Sequence, residues 1–169
     1  MDISTRAALT FGLTASGLVA GTNTAMSIFA VPPMLLAPKQ VMVQQWRKLF
    51  NLGLVWVPPT AVLASASLGY VAYASRSASK RDFGDVGGDA SRWKGIAFAA
   101  AGILSIVPYT LMFMKPTNDK LIAESNGAGH LAEREVKALI EWWSRLNLVR
   151  GVIGATGTAM GIWSAVGLR

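Results

Sequence analysis

The chain has 169 residues, 52% of them apolar and only 15% charged, with a formal net charge of +7. That length suits one domain, but soluble chains average roughly 25% charged residues, so an ordinary soluble globular domain is disfavoured. There is no cysteine, which excludes disulfides and thiolate metal sites.

The charges are clumped. None lies between Arg6 and Lys39, Lys48 and Arg76, Lys94 and Lys115, or Arg150 and Arg169. Each gap is long enough for a helix to cross a bilayer core, which takes about 17–25 residues. The expected fold is therefore all-α: a four-transmembrane-helix bundle forming a single integral membrane domain over residues 1–169. Its spans are expected at about 7–31, 53–74, 94–114 and 148–168. A soluble four-helix bundle is the weaker alternative, because its helices would each carry a charged outer face. The basic residues flank the spans, where they meet anionic lipid headgroups more simply than nucleic acid.

In chain order, the first span is stopped by Pro32-Pro33. It is too long for a signal-peptide core and is read as part of the mature protein. Gly17 and Gly21 form a small-xxx-small pair that lets a neighbouring helix approach. The connection that follows carries a short amphipathic helix, with Met42, Trp46 and Leu49 on one side. Pro58-Pro59 are expected to kink the second span and free backbone carbonyls. Residues 75–93 are rich in Gly, Ser and Asp and read as a flexible loop. The third span has Pro108 late in it. The next connection has a turn signal at Asn126-Gly127, then an amphipathic helix running into the fourth span.

Four spans fix a geometry. Let side A bear the N-terminus and side B be opposite. Asn23, Trp56, Pro58-Pro59, Tyr109, Asn118, Asp119, Asn147 and Arg150 then all fall toward side B, whereas the side-A half is mostly Ala, Gly, Leu and Val. On the fourth span Trp143, Asn147, Arg150, Gly154, Thr158 and Gly161 share one helix face. Arg150 either snorkels to the headgroups or faces inward with partners, for which Asp119 and Glu141 are candidates. Glycines on its face favour the inward reading, and hence a pocket open to side B. His130 is the only histidine and lies in a Gly-rich loop. No metal-ligand cluster and no nucleotide- or flavin-binding motif is present.

Pro116-x-Asn118-x-x-Leu121, followed by Trp143-x-x-x-Asn147-x-x-Arg150, resembles the signature of a family of small four-helix membrane proteins that includes the fungal anthrone oxygenases. The resemblance covers nearly the whole chain in layout. It implies a monooxygenase that converts a polyketide anthrone to an anthraquinone with O₂ in secondary metabolism, without a tightly bound cofactor. It further implies Arg150 and Asn147 as oxyanion donors, with Asn118 and Asn23 as helpers. Asp119 or His130 would be the base, and Trp143, Tyr109 and Trp56 would stack on the rings. An endomembrane such as the endoplasmic reticulum is the expected location, and basic residues split too evenly between the two sides to assign orientation. The glycine-lined faces permit a homo-oligomer without specifying it. The alternative is a non-catalytic tetraspan scaffold for membrane-bound partners.

Overall fold

A computed structural model describes residues 1–81 and 92–166, and within them every regular element is helical. Four antiparallel rods emerge. The first is α1 (Ile3–Ala25), a π-helical turn (Met26–Ala30) and the single turn α2 (Val31–Met34). The second is α3 (Lys39–Arg81). The third is α4 (Arg92–Tyr109), a second π turn (Thr110–Met114) and α5 (Lys115–Ser125). The fourth is α6 (Glu133–Val166). The rods form a square: α1 packs on α3 and α6, and α4 packs on the same two. Short connections make such up-down neighbours antiparallel.

Two expectations about boundaries change. The amphipathic segment of the first side-B connection is not a separate helix but the first turns of α3, while that of the second runs on into α6 as expected. They stay helical because Met42, Val43 and Trp46 of α3 and Val136 and Ile140 of α6 bury their apolar faces against Val31, Met34, Met114 and Leu121. The loop expected at 75–93 is helical up to Arg81, α4 begins at Arg92, and the part between them lies outside the described residues.

The π turns have a common local cause. Pro32-Pro33 and Pro116 follow them, and a helical proline has no N–H and clashes with the carbonyl four residues back. Widening the turn relieves that clash, and the N–H groups of Val31 and Lys115 donate five residues back, to Met26 and Thr110. Each π turn adds one residue, which rotates every later side chain by about 100° relative to an uninterrupted α-helix.

Three apolar layers stack along the bundle. Near side A lie Leu68, Val71, Ile96 and Ala99; in the middle lie Ala15, Val19, Ala61, Ala64, Ile103 and Ile106. The third layer, at side B, holds Trp46, Trp143 and their neighbours. The seam between α1 and α6 is close because it is built from small residues. A methyl added at Gly154 would lie 3.0 Å from Cβ of Ala20, and one at Gly151 would lie 3.3 Å from the backbone nitrogen of Thr24. Gly21, expected in such a seam, instead faces outward with nothing near it. Gly154→Leu is therefore expected to wedge α1 from α6 and cost about 1–3 kcal/mol, read as a lower unfolding temperature in detergent. The same substitution at Gly21 should cost far less.

The outer surface of the rods is apolar: Phe11, Leu18, Leu63, Phe98, Val152 and Trp163 are all exposed. Residues Lys39–Ser77 and Trp93–Ser125 are long and apolar enough to cross a membrane, and most of each apolar window faces outward.

At side B the two connections are clamped together. Lys39 Nζ lies 2.5 Å from Glu124 Oε1 and donates to the Leu131 carbonyl, while Leu131 N–H donates to Glu124 Oε2 at 3.1 Å. The Lys39 hydrogen bond holds the Glu124 carboxyl below its ordinary value. A depressed carboxyl pKa stabilises the fold above the ordinary glutamate value of about 4.3, and that contribution is lost as pH falls through the depressed one. The protection factors of the amides over residues 126–132, exchange rates corrected for their intrinsic pH dependence, should fall on acidification below that value. In Glu124→Gln protection should be low already at pH 6 and change little with further acid.

Candidate active site

Between the middle and side-B layers the bundle encloses a cavity of about 240 Å³, near the lower end of small-molecule sites, which span roughly 300–1,000 Å³. Phe50, Gly53, Leu54, Val57 and Pro58 of α3 form one wall, and Ile106 and Val107 of α4 with Thr110, Leu111 and Met114 of the π turn form another. These walls are almost wholly apolar. The polar groups gather opposite: Asn23 from α1, Asn118 from α5, and Asn147 and Arg150 from α6, with Trp143 beside them.

Helix geometry fixes how these groups point. Asn23 Nδ2 donates to the Val19 carbonyl at 2.9 Å and Asn147 Nδ2 to the Trp143 carbonyl at 3.0 Å. Because a carbonyl only accepts, each amide must turn its oxygen the other way. Asn147 Oδ1 then receives a hydrogen bond from Arg150 Nη1 at 3.1 Å, and the same nitrogen lies 3.5 Å from Met114 Sδ. Ser27 and Ser144 pin the first π turn to α6. Ser27 Oγ donates to the Ser144 carbonyl at 2.8 Å, and Ser144 Oγ returns a bond to the Ser27 carbonyl at 3.2 Å. This exchange holds the α1 and α6 amides against the same cavity.

Trp143 is 2% exposed and packs edge-on against Trp46 with ring centroids 6.0 Å apart; Trp46 in turn stacks on Phe50 at 5.1 Å. Neither Trp46 nor Phe50 was singled out as a site residue from the sequence, nor were Met114, Ser27 or Ser144. The amphipathic pattern around Trp46 was a usable signal for burial, but nothing local marks the serine exchange.

Several buried polar atoms have no protein partner: the oxygens Asn23 Oδ1 and Asn118 Oδ1, and the donors Arg150 Nε and Trp143 Nε1. Among the described residues no carboxylate lies within 4 Å of the Arg150 guanidinium. A polar group buried without a partner costs about 1–3 kcal/mol, and more if charged. Four of the residues that line the cavity, Arg150, Trp143, Asn23 and Asn118, thus each carry a buried polar atom with no protein partner.

Other sequence expectations are corrected by position. Asp119 and Glu141 are exposed, so neither pairs with Arg150. Asp119 is bound to Lys115 at 2.6 Å on the outer face of α5, an i,i+4 surface pair. His130 is exposed in the side-B connection, near Glu124 and outside the cavity. Trp56 is 69% exposed on the outer face of α3. Tyr109 is half-buried against Phe113, ring centroids 5.0 Å apart, and packs on the side-B layer without lining the cavity. The cavity does not open to side B, because Met42, Trp46, Leu121 and Ile140 close that end. No three His, Asp or Glu side chains gather closely enough to hold a metal ion among the described residues.

A helical bundle that surrounds an apolar chamber with one uncompensated cation defines a site for an apolar ligand that carries or develops negative charge. A family model described as anthrone oxygenase matches residues 46–160, and the chain belongs to that family of oxygenase enzymes. The match takes in every cavity-lining residue except Asn23 and Met26. Among its relatives, anthrone oxygenase AgnL2 of Paecilomyces divaricatus is 27% identical over 94% of this chain and 95% of its own. Anthrone oxygenase nsrD of Aspergillus novofumigatus is 26% identical over 85% and 83%, respectively. The noranthrone monooxygenase of Aspergillus flavus is 29% identical over 85% of this chain and 66% of its own. No solved structure matches the chain.

Proposed function

We propose that this chain oxidises an aromatic polyketide anthrone to the anthraquinone with dioxygen, in secondary metabolism. On this reading it is a four-span bundle in an endomembrane and works without a resident cofactor. The carrying observation is the uncompensated Arg150 guanidinium in a chamber whose other lining residues are apolar or uncharged. Family membership and the names of the relatives support the substrate class. The four uncharged stretches and the apolar outer surface support the membrane bundle.

An anthrone's central methylene is acidic because its conjugate base is a delocalised phenolate-like anion. On this reading Arg150, with the Trp143 N–H, receives the carbonyl oxygen as it becomes an oxyanion, an interaction far stronger in a dry site than in water. Asn147 holds the guanidinium in place, and Asn118 and Asn23 offer acceptors to phenolic hydroxyls. Phe50 and Trp143 flank the chamber as flat contacts for the rings. No carboxylate or imidazole lines the cavity, so the methylene proton passes to water while Arg150 stabilises the anion left behind. The carbanion gives one electron to O₂, and the resulting radical and superoxide combine at the methylene carbon to give a peroxide anion, which is protonated. Loss of the remaining C–H proton with cleavage of the O–O bond expels hydroxide and leaves the second carbonyl. One anthrone and one O₂ give one quinone and one water.

Membranes containing the chain, fed an anthrone, should form quinone faster than heat-treated membranes, with O₂ consumed one to one. Equal rates in the two preparations would end the oxygenase reading. Turnover that survives a metal chelator supports the cofactor-free form, and its loss refutes it.

A further inference from the structure

The side chains around the cavity differ sharply in exposure. Those from α1, α5 and α6 are buried: Asn23, Asn118, Trp143, Asn147 and Arg150. On the other side Leu54 is 57% exposed and Leu111 is 63% exposed, with Pro58, Val107 and Thr110 half-buried beside them. The cavity therefore has a mouth, and it lies in the cleft between α3 and the α4 π turn.

That cleft is held open by its neighbours. Toward side A, Ser65 Oγ donates to the Ala100 carbonyl at 2.9 Å, and the Arg76 guanidinium lies 5.0 Å above the Trp93 ring, so α3 and α4 are tied together there. Toward side B, Trp46, Met114 and Leu121 pack in one layer, and the Lys39–Glu124 clamp closes over it. Between these two ties Pro58 removes the donor that the Leu54 carbonyl would ordinarily receive, and the facing segment Thr110–Met114 is π-helical. Both helices are thus irregular at the level of the mouth.

The outer surface around the mouth is uncharged. Leu52, Val55 and Trp56 flank it on α3, and Met112 and Phe113 on the other side, all exposed. Leu54 stands six residues beyond Lys48 and Leu111 four residues before Lys115. At 1.5 Å per residue these offsets place the mouth about 6–9 Å inside the level where the side-B charges stop. An opening at that depth in a bilayer faces acyl chains and not headgroups or water.

We infer that the substrate reaches the cavity sideways, from the hydrocarbon of the membrane, through a portal whose lips are Leu54 and Leu111. This rests on the membrane-bundle reading given above. A flat apolar tricycle partitions into lipid, so the bilayer both concentrates it and presents it at the portal without crossing the closed side-B layer.

Because the chain has no cysteine, single replacements report cleanly. Leu54→Cys and Leu111→Cys, each labelled with bimane in phosphatidylcholine vesicles, should be quenched by nitroxides carried on the acyl chains and not by aqueous iodide. Leu36→Cys, in the exposed side-B connection, is the reference for iodide access. Iodide quenching at both lips, with none from the acyl chains, overturns the proposal. The same labels should raise KM for a lipid-dissolved anthrone at least tenfold, and kcat/KM within twofold of the unlabelled variants would place the way in elsewhere. If the unmodified chain turns over no anthrone, the oxygenase reading falls while the quenching result still decides where the portal faces.

Discussion

Arg150→Met is expected to reduce quinone formation by roughly 10²–10³-fold, the loss seen when one oxyanion donor is removed from an enzyme. The reasoning starts from the guanidinium's surroundings. Its Nη1 has one amide oxygen and one thioether as partners, its Nε has none in the protein, and no carboxylate neutralises it. Met keeps the apolar volume against Met114 and removes an uncompensated buried charge, which offsets the roughly 1–3 kcal/mol cost of leaving Asn147 Oδ1 without its donor, so stability should change little. Activity therefore falls while stability holds, which separates a catalytic role from a structural one. The measurements are initial rates of quinone formation and an unfolding temperature in the same detergent. A variant that keeps more than a third of the rate would remove Arg150 from the chemistry. Arg150→Lys should recover only part of the loss, because an ammonium lacks the planar fork that reaches Asn147 and a ligand at once.

Asn147→Asp is expected to lower kcat by roughly ten- to a hundredfold while the guanidinium stays in place. The amide oxygen already sits 3.1 Å from Arg150 Nη1. A carboxylate there would neutralise the cation that the reading above assigns to the substrate's oxyanion. It would also lose the amide's own donor to the Trp143 carbonyl, so a small local rearrangement of α6 accompanies the change. The informative readout is the split between constants: kcat falls while KM for the neutral anthrone stays within about threefold, because the ground state carries no charge to repel. A parallel rise in KM with unchanged kcat would assign Asn147 to substrate binding and not to holding the cation ready.

Comparing particular residues shows where pattern reasoning works. Asn147 and Arg150 were traceable because α6 is regular through that region, so i, i+3 and i+4 spacing holds and their shared face with Gly154 and Gly161 is real. Asn23 was traceable because it precedes the π turn of its rod. Beyond the second π turn the buried positions are Met114, Thr117, Asn118 and Leu121. Asp119 stands one residue from Asn118, yet it faces out, where Lys115 four residues earlier already offered it a surface partner. His130 ended beside Glu124 because the fold clamps Leu131 and Lys39 to that carboxylate.

The sequence by itself determined the helical class, the four rods, and the gathering of amides and one arginine toward one end. Those follow from where charges are missing and from antiparallel connectivity, which are properties of the chain read one residue after another. Only the tertiary structure decided that side B is closed, that the opening lies between α3 and α4, and that Arg150 meets an amide and a thioether instead of a carboxylate. The reason is that these features are set between rods and not within any one of them. Which side chain fills a cavity then depends on how neighbouring rods pack, something no single helix's periodicity contains.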